Sequence, residues 1–211
     1  MNAINVELLQ QHSPWREKIH FFESIDSTNT HALQLGEAGA AEGILVIAEE
    51  QQCGRGQFQR PWFSPAGTGI WMSLLLRPTI VPEIIPALSH FAVVALYDAI
   101  LKTGIVLNDL KIKDPNDLLI DGQKVAGVLV ETRLGSSSFA IVGIGLNVLQ
   151  QETDFPPELR EKVTSLAVAT GTKNIDRQEI VSALLQKLHE RYQQVLHDPA
   201  KLDLAWRSRL V

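Results

Sequence analysis

The residues best suited to binding chemistry lie in one stretch, residues 48–78, between two apolar runs. Its loop carries Arg55 and Arg60, whose guanidinium groups match the oxygens of phosphates and carboxylates. Gln51 and Gln52 add neutral amides that donate and accept hydrogen bonds. Glycines in the same loop let the backbone come close to a ligand. These residue types favour a clamp for an anionic small molecule, and an arginine-bearing surface loop is the plainer alternative.

Other features of the loop and of the whole chain narrow the chemistry. Trp62 and Trp71 flank the loop and are predicted to wall a pocket. The P-loop pattern GxxxxGK[ST] is absent, and the segment GRGQFQ lacks the third glycine of the dinucleotide-binding GxGxxG. The six histidines show no HExxH or paired spacing, and the single cysteine, Cys53, forms no internal disulfide. We therefore predict no metal ion held by protein side chains.

A second group of candidate residues surrounds a predicted hairpin within residues 109–148. Asp121-Gly122 is a strong signal for a tight hairpin turn. Lys124 begins the returning strand, and Gly127 removes side-chain bulk from it, so a ligand could approach there. The hairpin therefore supplies a second predicted anion-binding region.

The strand that follows, residues 139–148, discards side chains on one face. Gly143, Gly145 and Asn147 are spaced two apart, and strand residues with that spacing point to the same side. A glycine face that ends in an amide fits the floor of a pocket better than a core-packing surface.

A third group lies at the start of a predicted helix over residues 30–36. Ser27, Thr28 and Asn29 are common N-cap residues, and capping alone would explain them. They also place hydroxyl and amide groups where the unpaired N–H groups of a helix point outward, which suits a polar ligand.

Apolar periodicity predicts the elements that position these groups. The predicted strands are 18–24, 43–48, 69–76, 110–113, 118–120, 124–131 and 139–148, and the predicted helices are 3–12, 30–36, 81–103, 164–170, 177–197 and 199–209. We predict an α+β fold, a mixed β-sheet with helices packed on it, in one domain spanning residues 1–211.

Composition limits the class of protein. Of 211 residues, 45% are hydrophobic and 20% are charged, which predicts a folded chain with a sizeable core. A net charge of -5 disfavours nucleic-acid binding. The N-terminus lacks a signal-peptide pattern, and no apolar run is long enough to suggest a membrane span. We expect a cytoplasmic protein that binds neither nucleic acid nor membrane.

Five motifs, in order and spacing, resemble those of the biotin protein ligases, also called biotin–[acetyl-CoA-carboxylase] ligases. The motifs are Asp26-Ser27-Thr28-Asn29, Gln51-Gln52-Cys53-Gly54-Arg55-Gly56 followed by Trp62-Phe63-Ser64-Pro65, Lys113-Asp114-Pro115-Asn116-Asp117, Lys124 to Glu131, and Gly143 to Val148. The resemblance implies the biotin/lipoate ligase catalytic-domain fold, which has a class II synthetase-like architecture.

The resemblance also implies a two-step reaction. Biotin and ATP would form biotinyl-5′-AMP, and biotin would then pass to a lysine of the biotin carboxyl carrier protein of acetyl-CoA carboxylase. Mg²⁺ would arrive with ATP, and a homodimer is the family-level expectation. Two alternatives are a non-catalytic biotin-binding or sensing domain and a lipoate ligase-like enzyme.

By the same resemblance, Lys124 and Arg55 are the catalytic candidates. The implied biotin-binding residues are Ser27, Thr28, Asn29, Gln51, Arg55, Gly56, Gln57, Trp62, Lys124, Gly127 and Gly143. The implied nucleotide-binding residues are Arg60, Trp62, Asn116, Asp117, Lys124 and Asn147.

The sequence departs from the family pattern at three positions. Gln57 replaces the second loop arginine, Gln59 replaces a later glycine, and Asp114 replaces the tryptophan of KWPND. These changes predict a lost phosphate contact and an added acidic group near the adenylate. We expect neither the N-terminal DNA-binding domain of bifunctional members nor the small C-terminal β-barrel.

Overall fold

The computed structural model describes residues 3–15, 17–78, 84–135 and 137–211, and seven strands in these ranges form one sheet. The strands are β1 Ile19–Ile25, β2 Leu45–Gln51, β3 Gly69–Leu76, β4 Leu110–Lys113, β5 Asp117–Ile120, β6 Gln123–Arg133 and β7 Phe139–Asn147. Their order across the sheet is β1-β2-β3-β7-β6-β5-β4. Only β1 and β2 pair in parallel within these ranges, so the sheet is mixed as predicted.

The helices lie close to the predicted positions. They are α1 Val6–His12, α2 Thr28–Glu37, α3 Ile84–Lys102, α4 Leu166–Thr170, α5 Arg177–His197 and α6 Pro199–Arg207. Short 3₁₀ turns span Gln57–Gln59, Glu152–Asp154 and Pro157–Leu159. The first residues of the predicted helix 81–103 lie outside the described residues.

Both faces of the sheet are covered, which explains why the central strands are continuous apolar runs. Leu45 and Ile47 of β2 belong to the large core under α3 and α5, whereas Val46 belongs to a smaller core under α2. Strand β3 is buried along its whole length. The smaller core occupies only part of its face, because Gly143 and Gly145 continue that face of β7 without side chains.

Helix α3 has 19 residues and a mean hydropathy of 1.8 over its most apolar window. By length and composition alone it could cross a membrane, which the prediction from sequence had not allowed for. Half of that window is buried inside the fold, and α3 packs against α5 and the sheet. These contacts are those of a core helix.

Local signals from the sequence set several turns and helix ends. Asp121 and Gly122 have φ values of 49° and 80°, which confirms the tight β5–β6 hairpin turn. The Asp176 carboxylate accepts a hydrogen bond from the Gln178 amide at 2.8 Å and caps α5. Helix α2 begins at Thr28, two residues earlier than predicted, because Ser27 is its N-cap.

A buried ion pair links helix α5 and the segment before α1 to the sheet. Arg177 donates to Glu49 on β2 at 2.8 Å, and their side chains are only 2% and 7% exposed. The same guanidinium donates to the Gly69 carbonyl at 3.0 Å, and Glu49 also accepts from the Ile4 amide at 3.2 Å. This carboxylate therefore joins α5, β2 and the segment before α1.

Candidate active site

A cavity of about 260 Å³ opens between the start of α2, the loop after β2, and strands β6 and β7. Every residue that the family resemblance implied as catalytic, biotin-binding or nucleotide-binding lines it. These residues are Ser27, Thr28, Asn29, Gln51, Arg55, Gly56, Gln57, Arg60, Trp62, Asn116, Asp117, Lys124, Gly127, Gly143 and Asn147. The structure brings these residues together at one cavity, and their individual roles stay predictions.

The glycine face of β7 is the floor of this cavity, as predicted. A Cβ added at Gly143 would lie 2.0 Å from Asn29 Oδ1, and a Cβ added at Gly145 would lie 2.4 Å from Trp62 Nε1. Asn29 and Trp62 therefore rest directly on the strand backbone, in space that any other residue would fill. Gly127 does the same for Lys124, whose Nζ lies 3.1 Å from the position of such a Cβ.

One wall of the cavity is a network of neutral hydroxyl and amide groups. The Thr28 amide and hydroxyl donate to Gln51 Oε1 at 2.9 and 3.1 Å, and Gln51 Nε2 donates to Ser64 Oγ at 2.9 Å. Behind them, the hydroxyl of buried Ser73 lies 2.8 Å from Thr28 Oγ1 and 2.6 Å from Asn29 Oδ1. Such a wall can bind a neutral polar ligand group through matched donors and acceptors.

Arg55 does not enter the cavity as an isolated cation. Its Nη2 lies 3.0 Å from a Glu131 carboxylate oxygen, and their side chains are 18% and 21% exposed. Its Nη1 donates to Thr30 Oγ1 at 2.5 Å and to Ser27 Oγ at 3.4 Å. Asn29 Nδ2 donates to the same carboxylate at 2.9 Å. The guanidinium is therefore fixed from two sides.

Lys124 also has a carboxylate partner. Its Nζ lies 2.7 Å from Asp117 Oδ1, a close ion pair whose angles fall outside hydrogen-bond geometry. The same Nζ lies 5.1 Å from the centre of the Trp62 ring, within reach of a cation–π attraction. The Trp62 indole N–H is buried and has no hydrogen-bond partner in the described part of the chain.

The two asparagines predicted to bind nucleotide use their amide nitrogens within the protein. Asn116 Nδ2 donates to the Val128 carbonyl, and the Val128 amide donates back to the Asn116 carbonyl at 2.9 Å. Asn147 Nδ2 donates to the Thr164 carbonyl at 3.0 Å. Both residues line the cavity, and these bonds hold the surrounding backbone in place.

The expectation that Trp71 walls the pocket is wrong, and the position of Asp114 relative to an adenylate stays a prediction. Trp71 does not wall the cavity, because its ring is fully buried in the core and its Nε1 donates to the Pro65 carbonyl at 3.3 Å. Asp114 is exposed and does not line the cavity. Its charge acts instead on His90 of α3, where burial lowers the pKa and Asp114 and Asp203 oppose that shift.

Comparison with known proteins agrees with this arrangement. A family model described as "Biotin/lipoate A/B protein ligase family" matches residues 21–148, which run from β1 to the end of β7 and make up more than half of the chain. The chain is a member of the biotin/lipoate A/B protein ligase family.

Individual family members share much of its length. The Bacillus subtilis "Bifunctional ligase/repressor BirA" is 38% identical over 209 residues, which cover 98% of this chain and 62% of that protein. The Mycobacterium tuberculosis "Biotin--[acetyl-CoA-carboxylase] ligase" is 32% identical over 210 residues, which cover 98% of this chain and 76% of that protein. The chain thus spans less than two thirds of the Bacillus relative.

Solved structures of the biotin protein ligases share the fold. The structure of "Biotin protein ligase from Aquifex aeolicus in complex with biotin and ATP" superposes with a TM-score of 0.71 at 30% identity. The match covers 83% of this chain and 70% of that one. The mixed seven-stranded sheet with packed helices is therefore the fold of this family, as the sequence motifs predicted.

Reasoning from the family motifs missed several residues of the site. Ser73 and Glu131 both bind the Asn29 side chain. The signal for Ser73 in the sequence was a hydroxyl in an otherwise apolar strand, and the signal for Glu131 was a charge at the end of a motif. Phe155, Leu159 and Val163 line the cavity from the segment between β7 and α4, where no site residue was predicted from the sequence. The Lys124 amide donates to the Lys162 carbonyl at 3.0 Å, which brings this segment over the site.

Proposed function

We propose that this protein is a biotin protein ligase. In this proposal it activates biotin with ATP to biotinyl-5′-AMP and transfers biotin to a lysine of the biotin carboxyl carrier protein of acetyl-CoA carboxylase. The observation that carries the proposal is the convergence of all five family motifs on one cavity, which combines a neutral polar wall with two cations that are each paired with a carboxylate. Membership of the family supports it.

The neutral wall suits the ureido group of biotin. That group has two N–H donors and one carbonyl acceptor, and a buried polar group of a ligand needs a partner for each. Ser27, Thr28, Asn29 and Gln51 supply hydroxyl and amide groups there. The apolar residues Met72, Val128 and Ile144 also line the cavity, which suits the aliphatic part of biotin.

The cations of the cavity suit two anionic substrates. The biotin carboxylate and the triphosphate repel each other, so the site must offset that repulsion. Arg55 and Lys124 are the cations that we assign to this task. Glu131 and Asp117 already balance these two cations before substrate enters. Arg60 also lines the cavity and has no ion pair with any described residue, so we assign it to the phosphates.

The reaction then needs no protein nucleophile. A carboxylate oxygen of biotin attacks the α-phosphorus of ATP, the bond to the bridging oxygen breaks, and pyrophosphate leaves. The amine nitrogen of the carrier lysine next attacks the acyl carbon and loses a proton, and AMP leaves with the anhydride oxygen. Mg²⁺ would neutralise phosphate charge when bound with ATP. Asp117 is the one carboxylate among the described lining residues, so it is the side chain that would contact such an ion. The described residues hold no cluster of three metal-binding side chains.

Biotin-dependent exchange of labelled pyrophosphate into ATP tests the first half-reaction. The expected result with Mg²⁺ and no carrier protein is exchange that requires biotin. Biotin binding without exchange would support the sensing-domain alternative. Exchange with lipoate, and none with biotin, would support the lipoate-ligase alternative.

Finer properties belong to the same proposal. The protein substrate is a carrier domain with an exposed lysine, and the expected location is the cytoplasm. The expected homodimer would pair at a sheet edge, and β1 is one outer strand of the sheet. At the other edge, Ile112 of β4 is already bridged to Leu210. Sedimentation with and without biotin measures the oligomeric state.

A further inference from the structure

Glu131 holds two of the candidate substrate-binding side chains at once. It lies on β6 and faces the start of α2 and the loop after β2. Its two carboxylate oxygens accept from Arg55 Nη2 at 3.3 and 3.0 Å, and one of them accepts from Asn29 Nδ2 at 2.9 Å. Glu131 itself does not line the cavity. It therefore acts on the site through its partners.

We propose that Glu131 is a positioning residue that fixes the Arg55 guanidinium and the Asn29 amide for biotin. The inference rests on the proposed function, since it assigns biotin as the ligand of these two groups. Glu131 does not line the cavity, so in this proposal it acts without contacting biotin or ATP.

The contacts around Asn29 leave its amide only one orientation. Ser73 is a hydroxyl donor at 2.6 Å from Oδ1, and the Glu131 carboxylate, which only accepts, binds Nδ2. An amide turned by 180° would place its NH₂ group against Ser73 and its oxygen against the carboxylate. Glu131 thus decides which end of Asn29 can meet a donor or an acceptor of the ligand.

The contacts around Arg55 fix a side chain that otherwise has many rotamers. Nη2 is held by Glu131, and Nη1 is held by the Thr30 and Ser27 hydroxyls of α2. A guanidinium that is already oriented loses less conformational entropy when a carboxylate binds. The negative charge of Glu131 also allows Arg55 to sit in a mostly buried position without being an isolated cation.

The test compares Glu131→Gln with the control Glu37→Gln. Glu37 of α2 pairs with Arg133 of β6 at 3.3 Å, so the control removes an ion pair between the same two elements outside the cavity. Biotin affinity is measured by calorimetry, and kcat and KM for biotin are measured by pyrophosphate exchange. We expect Glu131→Gln to weaken biotin binding about 10-fold, the scale of one charge-assisted hydrogen bond, and Glu37→Gln to change it less than about 2-fold.

A double variant tests whether Glu131 acts through Arg55. In an Arg55→Ala background we expect the effect of Glu131→Gln on biotin affinity to shrink from about 10-fold to less than about 3-fold, because the group that it positions is gone. An undiminished effect in that background would show that Glu131 does not act through Arg55. Thermal denaturation of each variant separates loss of fold from loss of positioning.

A measurement on the unaltered protein covers the case in which Glu131→Gln does not fold. Nuclear magnetic resonance of the Arg55 guanidinium should show slow rotation about its C–N bonds, and free rotation would overturn the inference. Failure of the unaltered protein to bind biotin would overturn both this inference and the proposed function. Normal exchange combined with equal behaviour of Glu131→Gln and Glu37→Gln would overturn the inference alone.

Discussion

Replacing Gly143 by alanine should disable the proposed biotin site through a single methyl group. The added Cβ would lie 2.0, 2.8 and 2.9 Å from three atoms of the Asn29 amide, all closer than real Cβ contacts. The Asn29 side chain cannot move away from the added Cβ and keep its contacts, because its Oδ1 is hydrogen-bonded to Ser73 and its Nδ2 to Glu131. The amide must leave the strand and give up both hydrogen bonds.

The magnitude follows from those two bonds. A neutral hydrogen bond contributes about 1 kcal/mol and one to a charged group about 2 kcal/mol, so the loss is about 3 kcal/mol. Alanine is better than glycine in a strand by about 0.5–1 kcal/mol, which leaves a net destabilisation of about 2 kcal/mol. For a chain of this size that corresponds to a fall in Tm of about 4–8 °C. Biotin affinity should fall at least about 10-fold, because Asn29 no longer faces the ligand.

Gly56→Ala is the matched control for this experiment. Gly56 lines the same cavity, its φ of -110° suits alanine, and the nearest atom to an added Cβ is the Arg60 carbonyl oxygen at 3.8 Å. Differential scanning calorimetry and biotin titration of both variants give the comparison. If Gly143→Ala matches Gly56→Ala in Tm and in biotin affinity, the packing of Asn29 on β7 does not control the site.

Three further predictions concern Lys124 of the site, a buried ion pair and the dependence of stability on pH. Lys124→Ala should lower the rate of pyrophosphate exchange at least about 100-fold while biotin affinity changes less, since Lys124 acts on charge that develops in the transition state; exchange at the parent rate would show that Lys124 has no catalytic role. Glu49→Ala should destabilise the fold by about 3–5 kcal/mol in urea unfolding, because it leaves Arg177 without the carboxylate of a buried ion pair; a loss below about 1 kcal/mol would mean that this pair adds nothing. The pKa of His90 is lower in the folded chain than its ordinary value of 6.5, so below pH 6.5 the unfolded chain takes up a proton that the folded chain does not. The stability that is present above pH 6.5 is therefore lost as pH falls through the folded pKa. His90→Phe, which keeps the ring stacked on Trp206, should show a smaller loss of stability between pH 7.5 and pH 5.5, and an equal loss would exclude His90 as a source.

The sequence predicted best those elements whose signal is local. Strand β3 has the predicted bounds, because an apolar run of eight residues ends at a proline-bearing segment. The Asp121-Gly122 turn has the backbone angles that its residue types favour. The start of α2 was less certain, since Ser27, Thr28 and Asn29 are all good caps and only the tertiary position of Ser27 decides among them.

The sequence could not show how deeply a side chain is covered within a fully buried strand. Trp71 lies on the same side of β3 as Ser73 and is paired with Gly145 of β7, but its ring is fully buried and its Nε1 donates to the Pro65 carbonyl at 3.3 Å. Glu131 gave only the signal of a carboxylate near a strand end, and its partner Arg55 is 76 residues away in the chain. The segment of Phe155 has no periodicity, so nothing in it pointed to the cavity.

The buried Ser73 hydroxyl gives the cavity wall two proton arrangements with one set of heavy-atom positions. It has one proton but lies within hydrogen-bond distance of both Thr28 Oγ1 and Asn29 Oδ1. When that proton points to Asn29, the Thr28 hydroxyl can turn its own proton back toward Ser73, and Gln51 Oε1 then keeps only the Thr28 backbone donor. Rotation of two hydroxyl groups thus changes which lone pairs face the cavity, and an incoming ligand can select the polarity that it needs without any movement of the backbone.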